Sequence, residues 1–198
     1  MKVLVTGGTG NLGSHIVAEL TKQNNLQVRI MTLTAPHENA TLGTEWAQAD
    51  LGNEGDVSRA VQGIDLIIHA ASDYIVDPAH SDVRATGLLL RQANAAGVKH
   101  FCYVSIVGSD RVPLPYYGAK VQCEASVRDS GLSWSIFRAT QFHSLVDAVI
   151  REYANPLLVA VLPVELRFQS IDVGEVAAEL VQSALRCQSG AITEISGP

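Results

Sequence analysis

The 198-residue chain has little of what builds a disulfide frame, a metal centre or a membrane span. Its three cysteines (Cys102, Cys123 and Cys187) are odd in number, scattered, and nowhere in C-x-x-C spacing. That excludes a disulfide scaffold or zinc site and fits small buried hydrophobes in a reducing, cytoplasmic setting. The six histidines lack ligand spacing as well, so no metal is expected. No apolar run approaches the roughly 20 residues of a membrane helix, so no membrane partner is expected. Lys22 closes the first helical stretch too early for a signal anchor, and an apolar strand opens the chain, so no targeting segment is expected. Positive charge is scarce: 14 Lys and Arg stand against 20 Asp and Glu, a net −6 with a pI near 5.4. A nucleic-acid partner would want a basic face, so none is expected. Repeats, linkers and low-complexity tracts are missing, and a single domain over 1–198 is the expectation.

Apolar content is what the chain does have. Hydrophobic residues make up 47% and charged residues 17%, which suits strands buried on both faces. Strand-like runs fall near 2–6, 27–32, 45–49, 65–70, 100–105 and 133–138, and helical patterns near 11–23, 54–62, 80–96 and 117–130. Such alternation predicts an α/β fold, a doubly wound parallel sheet with helices on both faces. Gly63, Gly97 and Gly131 each stand just past a helical pattern, where a helix stop wants a left-handed residue. After about residue 140 the pattern loosens. A helix near 141–154 precedes Asn155-Pro156, an apolar run 157–164, a helix 173–186 and one more short strand. Residues 141–170 are expected to form a partial, substrate-side lobe.

The first thirteen residues carry the sharpest signal. Val3, Leu4 and Val5 run into glycines at 7, 8, 10 and 13, and Leu12, Ile16, Val17 and Leu20 then recur at helical spacing. A strand, a glycine turn and a helix bring free backbone N–H groups and a positive dipole end together, a place that suits a pyrophosphate. The spacing is G-x-x-G-x-x-G.

Ligands of such sheets bind outside the carboxyl ends of the strands. Those ends carry Asp50-Leu51, able to meet an adenine, then His69-Ala70-Ala71-Ser72, whose small residues admit a ribose, then Tyr103-Val-Ser105 and Arg138-Ala-Thr140. Tyr116 and Lys120 follow, four residues apart and so on one helical face. A phenol with a pKa near ~10 is a poor acid or base at neutral pH, and a nearby ammonium favours its ionised form. Ser105 would bond and polarise a substrate carbonyl. Each group also has a plain structural reading: a chance Tyr-x-x-x-Lys, a serine closing a strand, an aspartate starting a turn with Gly52.

Four segments together resemble the atypical short-chain dehydrogenase/reductases, in their NmrA-like, NAD(P)-binding branch. They are Thr6-Gly-Gly-Thr-Gly-Asn-Leu-Gly13, Ala49-Asp50-Leu51, Tyr103-Val-Ser-Ile-Val-Gly108, and Tyr116-Tyr-Gly-Ala-Lys120 continuing to Ser135-Ile-Phe-Arg-Ala-Thr-Gln-Phe142. The resemblance implies a Rossmann-type fold. It implies that Gly7, Thr9, Gly10, Asn11, Leu12 and Gly13 contact the pyrophosphate, Asp50 and Leu51 the adenine, and Ala70 and Ala71 the adenosine ribose. By the same likeness Lys120 holds the nicotinamide ribose, Ala139, Thr140 and Phe142 flank the nicotinamide, and Ser105, Tyr116 and Lys120 are catalytic.

Three departures qualify the likeness. Asp82 stands where relatives place a relay asparagine. Strand two ends Arg29-Ile-Met-Thr-Leu-Thr34 with neither the acid that selects NAD nor the arginine that greets a 2′-phosphate, since Leu33 holds that place; NADP is preferred over NAD. Relatives continue past Ser196-Gly-Pro198, so a trimmed, open pocket is expected. The leading expectation is an NAD(P)H-dependent oxidoreductase of a small carbonyl or quinone-like substrate. Tyr74, Ile75, Phe142, Leu157 and Phe168 favour an apolar or aromatic one. A non-catalytic NmrA-like redox sensor is the alternative, a nucleotide-sugar epimerase the third, and a homodimer through the third and fourth helices is possible by resemblance.

Overall fold

Lys2–Thr6 (β1), Gln27–Thr32 (β2), Thr44–Gln48 (β3), Leu66–His69 (β4), His100–Ile106 (β5), Trp134–Ala139 (β6) and Ala191–Ile195 (β7) form one sheet in the computed structural model. Described are residues 1–34, 43–72, 78–153 and 169–198, with backbone alone for 78–80, 148–150 and 152–153. Tyr74, Ile75, Leu157, Phe168 and the apolar run 157–164 lie outside the described residues. The strand order is β3-β2-β1-β4-β5-β6-β7 and every pairing is parallel. Chain order therefore reverses between β1 and β4, and such a switch point opens a crevice at the strands' carboxyl ends.

The helices are Asn11–Thr21 (α1), Glu54–Ala60 (α2), Pro78–Ala95 (α3), Pro115–Arg128 (α4), His143–Tyr153 (α5) and Val173–Leu185 (α6). Leu12, Ile16, Val17 and Leu20 of α1 and Val176, Ala177, Leu180 and Val181 of α6 cover one face of the sheet over Val3, Val5, Ile68 and Phe137. The other face packs Leu4, Ile67, Phe101, Tyr103 and Ile136 beneath Val57, Leu89, Ala93, Cys123 and Val127 of α2, α3 and α4. Burial of each such side chain contributes about 1.5–3 kcal/mol.

The expected elements match within a few residues. Helix α4 begins two residues earlier than its expected start, because Pro115 at the first helical position has its φ preset and no N–H to satisfy. Tyr116 thereby falls inside the helix. Gly63, Gly97 and Gly131 take φ of 68°, 72° and 77°, as their helix-stop positions predict. Among the described residues, no helix is long and apolar enough to cross a membrane and no metal-binding cluster occurs.

Candidate active site

The glycine turn sits between β1 and α1 at the switch point, and its glycines answer to different constraints. Gly7 has φ 67°, and a Cβ there would stand 2.8 Å from the Ala71 Cα. A Cβ on Gly13 would lie 2.0 Å from the Gly7 carbonyl oxygen. These two glycines lock the turn onto β4 and onto itself. Gly10 caps α1 with an ordinary φ of −76°, and among the described residues its Cβ would meet only the Gly7 oxygen, at 3.2 Å. Among those residues packing leaves the space above Gly10 open, no side chain caps the helix, and no acid stands in its first turn. The N–H groups of Asn11, Leu12 and Gly13 have no intrahelical acceptor by helix geometry, so the turn fits a diphosphate. Asn11 Nδ2 donates to Ser144 Oγ on α5 at 2.9 Å, which draws α5 to the same rim.

Beside the turn lies a cavity of about 560 Å³. Leu33 at the tip of β2, Asp50, Leu51 and Gly52 after β3, His69, Ala71 and Ser72 at the end of β4, and Ser81, Asp82, Arg84 and Ala85 of α3 line it. Of the residues expected around an adenosine, Asp50, Leu51 and Ala71 thus meet at one cavity, while Ala70 packs on the core beneath α1. Asp50 does start a turn, its Oδ1 accepting from Gly52 N at 2.7 Å, while the side chain stays exposed at the rim. His69 is locked between Thr6 Oγ1 at 2.7 Å and Thr86 Oγ1 at 3.0 Å. Burial, helped by the Lys120 charge, pushes its pKa down to about 3, so it is neutral and structural.

At the far end the sequence reasoning named Tyr116 and Lys120 but not the group that joins them. Ser72 Oγ donates to Asp82 Oδ2 at 2.5 Å and lies 3.2 Å from the Tyr116 hydroxyl. Lys120 Nζ lies 3.5 Å from the same Asp82 oxygen, with both side chains buried. The ammonium also faces the Tyr116 ring at 5.4 Å and the Tyr103 ring at 5.3 Å. Phenol, hydroxyl, carboxylate and ammonium therefore form one chain across the end of β4, α3 and α4. Small residues after β4 and an acid on the next helix were visible as separate facts; their meeting depends on how α3 packs against α4.

Ser105 goes elsewhere. It is buried within β5 on the face shared with Tyr103, and its hydroxyl neighbours the Glu124 carboxylate without closing a bond of standard geometry. Ala139 ends β6, and Thr140 follows with a buried hydroxyl that has no hydrogen-bond partner among the described residues. Phe142 bridges to Ile171 and packs on the core below α1, while Gln141 donates to the Tyr117 hydroxyl at 2.8 Å. The segment after β6 is thus tied to α4 beside the Tyr116–Lys120 face.

Known proteins share this architecture. Quinone oxidoreductase 2 of Escherichia coli is 28% identical over 141 residues, which are 69% of this chain and 47% of that protein. A photosystem II assembly factor, Ycf39 of Cyanophora paradoxa, is 29% identical over 80% of this chain and 50% of its own length. The chain spans about half the length of these curated relatives. The E. coli NADPH-dependent quinone oxidoreductase QOR2, solved with NADPH, superposes with a TM-score of 0.77 at 22% identity over 98% of this chain and 69% of that one. A Staphylococcus aureus nucleoside-diphosphate-sugar epimerase reaches 0.84 at 18% identity over 100% and 72%. The pattern of the NAD(P)H-binding family matches residues 7–184. With the glycine turn, the switch-point cleft and that match agreeing, the chain belongs to the NAD(P)H-binding family.

Proposed function

We propose that this protein is an NAD(P)H-dependent reductase of a small carbonyl or quinone-like substrate. The observation that carries the reading is the chain Tyr116–Ser72–Asp82–Lys120 at one end of a cleft whose other end is an uncapped glycine turn. Gly10, Asn11, Leu12 and Gly13 would hold the pyrophosphate, Asp50, Leu51, Ala70 and Ala71 the adenosine, and Ala139, Thr140 and Phe142 the nicotinamide end. Bound NAD(P)H supplies the hydride and its electron pair to the substrate carbon. Tyr116 donates the proton that the developing alkoxide needs. Lys120, fixed by Asp82, holds ribose hydroxyls and stabilises negative charge on the phenol oxygen. Ser72 takes the role of the second hydroxyl that the sequence offered to Ser105, since it borders the Tyr116 oxygen.

The test is NADPH oxidation at 340 nm with menadione, benzaldehyde and a phenolic quinone, paired with calorimetric coenzyme binding. Tyr116→Phe is expected to lower kcat by about 10²–10⁴-fold while coenzyme still binds; Lys120→Ala weakens both. A second reading, the NmrA-like sensor, is favoured by the pairing of Lys120 with Asp82, which already partly satisfies the ammonium. Tight coenzyme binding without turnover of any acceptor decides for the sensor.

A further inference from the structure

The hydrogen-bond chain at the end of β4 has a direction, which follows from counting its hydrogens. Asp82, set 3.5 Å from the Lys120 ammonium, stands as a carboxylate, and a carboxylate accepts hydrogen bonds but donates none. Ser72 Oγ therefore commits its single hydrogen to Asp82 Oδ2, at 2.5 Å. In its other contact, 3.2 Å from the Tyr116 oxygen, Ser72 has only a lone pair left to offer. Tyr116 is then the donor, and its one hydrogen points back at Ser72. A phenol so engaged presents a lone pair to the cleft. It is set to receive a hydrogen bond from a substrate hydroxyl, not to give one to a carbonyl.

One proton on Asp82 reverses every link. A protonated carboxyl donates to Ser72, Ser72 then donates to Tyr116, and the Tyr116 hydrogen turns to the cleft. An amide in this place could not act so, because it offers donor and acceptor at once and gains no proton near neutrality. The Asp82 carboxyl is buried by packing yet borders the cavity of about 560 Å³, which gives it a path to solvent protons. Around it stand Lys120 and Tyr116 on α4, Tyr103 on β5, His69 on β4 and Arg84 on α3, with Asp50 on the same cavity. Burial pushes the Tyr103 phenol up and the His69 imidazole down to about 3, so neither trades a proton with Asp82 near neutral pH. Lys120 and Arg84 bring positive charge.

We propose that Asp82, acting through Ser72, is the positioning residue that decides which way the Tyr116 hydrogen points. As a carboxylate it readies the site for a substrate hydroxyl; as an acid it readies the site to protonate a carbonyl. The proposal rests on the reductase reading above and adds the condition under which Tyr116 is its acid. When hydride reaches the carbonyl carbon, the C=O electron pair moves to oxygen, and that oxygen takes the Tyr116 proton. Tyr116 takes the Ser72 proton and Ser72 takes the Asp82 proton. Asp82 ends as a carboxylate beside Lys120, to be reprotonated by water.

Dead-end complexes test this without turnover. Benzaldehyde is titrated calorimetrically into the intact chain with NADP⁺, and benzyl alcohol into the chain with NADPH, in two buffers of different ionisation enthalpy at pH 6, 7 and 8. The aldehyde is expected to bind with uptake of up to about one proton, and with a Kd that rises by up to about tenfold per pH unit. The alcohol binds with no uptake. Asp82→Asn and Ser72→Ala each abolish the uptake, and in NADPH-driven reduction of benzaldehyde each changes kcat more than KM. Asp82→Asn leaves Lys120 without its counter-charge, so Ser72→Ala is the second cut: it breaks the chain and keeps the ion pair, with circular dichroism verifying both folds. Aldehyde binding without proton uptake overturns the proposal, and reduction of benzaldehyde in that case leaves the reductase reading standing. Uptake retained in Ser72→Ala overturns it as well, because the proton then lands elsewhere. Coenzyme binding with neither probe bound takes down both.

Discussion

Gly10 and Gly13 look interchangeable as letters of one motif, yet packing separates them. An added Cβ at Gly13 would sit 2.0 Å from a backbone oxygen, and nothing flexible there can yield. Gly13→Ala is therefore expected to destabilise the fold by several kcal/mol, of the order of about 3 or more, as overpacking against backbone does. Gly10→Ala has an ordinary φ and only a 3.2 Å contact to relieve, so its urea midpoint should stay close to wild type while coenzyme affinity falls. A Gly10→Ala protein that binds NADPH as the wild type does would remove the diphosphate from above Gly10. The sequence made the turn legible but not this division of labour, which exists only because Gly13 folds back over Gly7. Ser105 teaches the opposite lesson. A serine near a strand's end carries no mark of which face it points to until the register is known, and here the pleat turns it toward Glu124.

At the scale of the element, α4 joins chemistry to structure along one face. Tyr116, Lys120 and Glu124 recur at four-residue intervals, so the stripe that faces the cleft at its start is an anchor at its end. Glu124 is 1% exposed and takes bonds from Arg138 at 2.7 and 2.8 Å and from Arg128 at 2.7 Å. Burial pushes its carboxyl up, but the Arg138 and Ser105 groups and Arg128 outweigh that and hold it below the usual carboxylate range. The same contacts push the Arg138 guanidinium pKa up. Removing one partner from such a buried pair leaves an uncompensated charge, and Glu124→Ala is expected to lose about 3–5 kcal/mol in urea denaturation. Glu124→Gln keeps the shape and loses less. If Glu124→Ala unfolds at the wild-type midpoint, α4 is held by its apolar contacts alone. The helix itself was legible from Pro115 and the spacing. The anchor was not, because a glutamate on a helix reads as solvated until a half-buried arginine on β6 is set against it.

At the scale of the whole molecule, the inner strands β1, β4 and β5 were legible because each is a short apolar run ended by glycine or a polar break, and local pattern decides such elements, whereas the edge strands β3 and β7 mix polar with apolar residues and are only partly buried. That the sheet is parallel and wound on both faces followed from rules of connection more than from any residue. What local pattern could not give was the wiring between layers, and two histidines show its consequence. His69 ties β1 and α3 to β4 through Thr6 and Thr86; His100 ties β5 to Ser133 and Ser135 beside and within β6. Burial lowers the pKa of both, that of His69 to about 3 against 6.5 for the free side chain. As pH falls below 6.5, the unfolded chain takes up a proton that the folded His69 refuses, so acid favours unfolding. The stability this group contributes is complete above pH 6.5 and drains away as pH falls toward 3, by about 1.4 kcal/mol per pH unit. Between pH 6.5 and 5, before most carboxylates titrate, His69 alone should remove about 2 kcal/mol, and His100 adds in the same direction. Urea denaturation at pH 7, 6 and 5 measures this directly. The His69→Gln variant, which keeps a polar group between the two threonines without the titration, should start less stable and show a shallower slope. A wild-type stability that is level from pH 7 to 5 would mean that His69 takes its proton inside the fold, and the neutral bridge between Thr6 and Thr86 would fall with it.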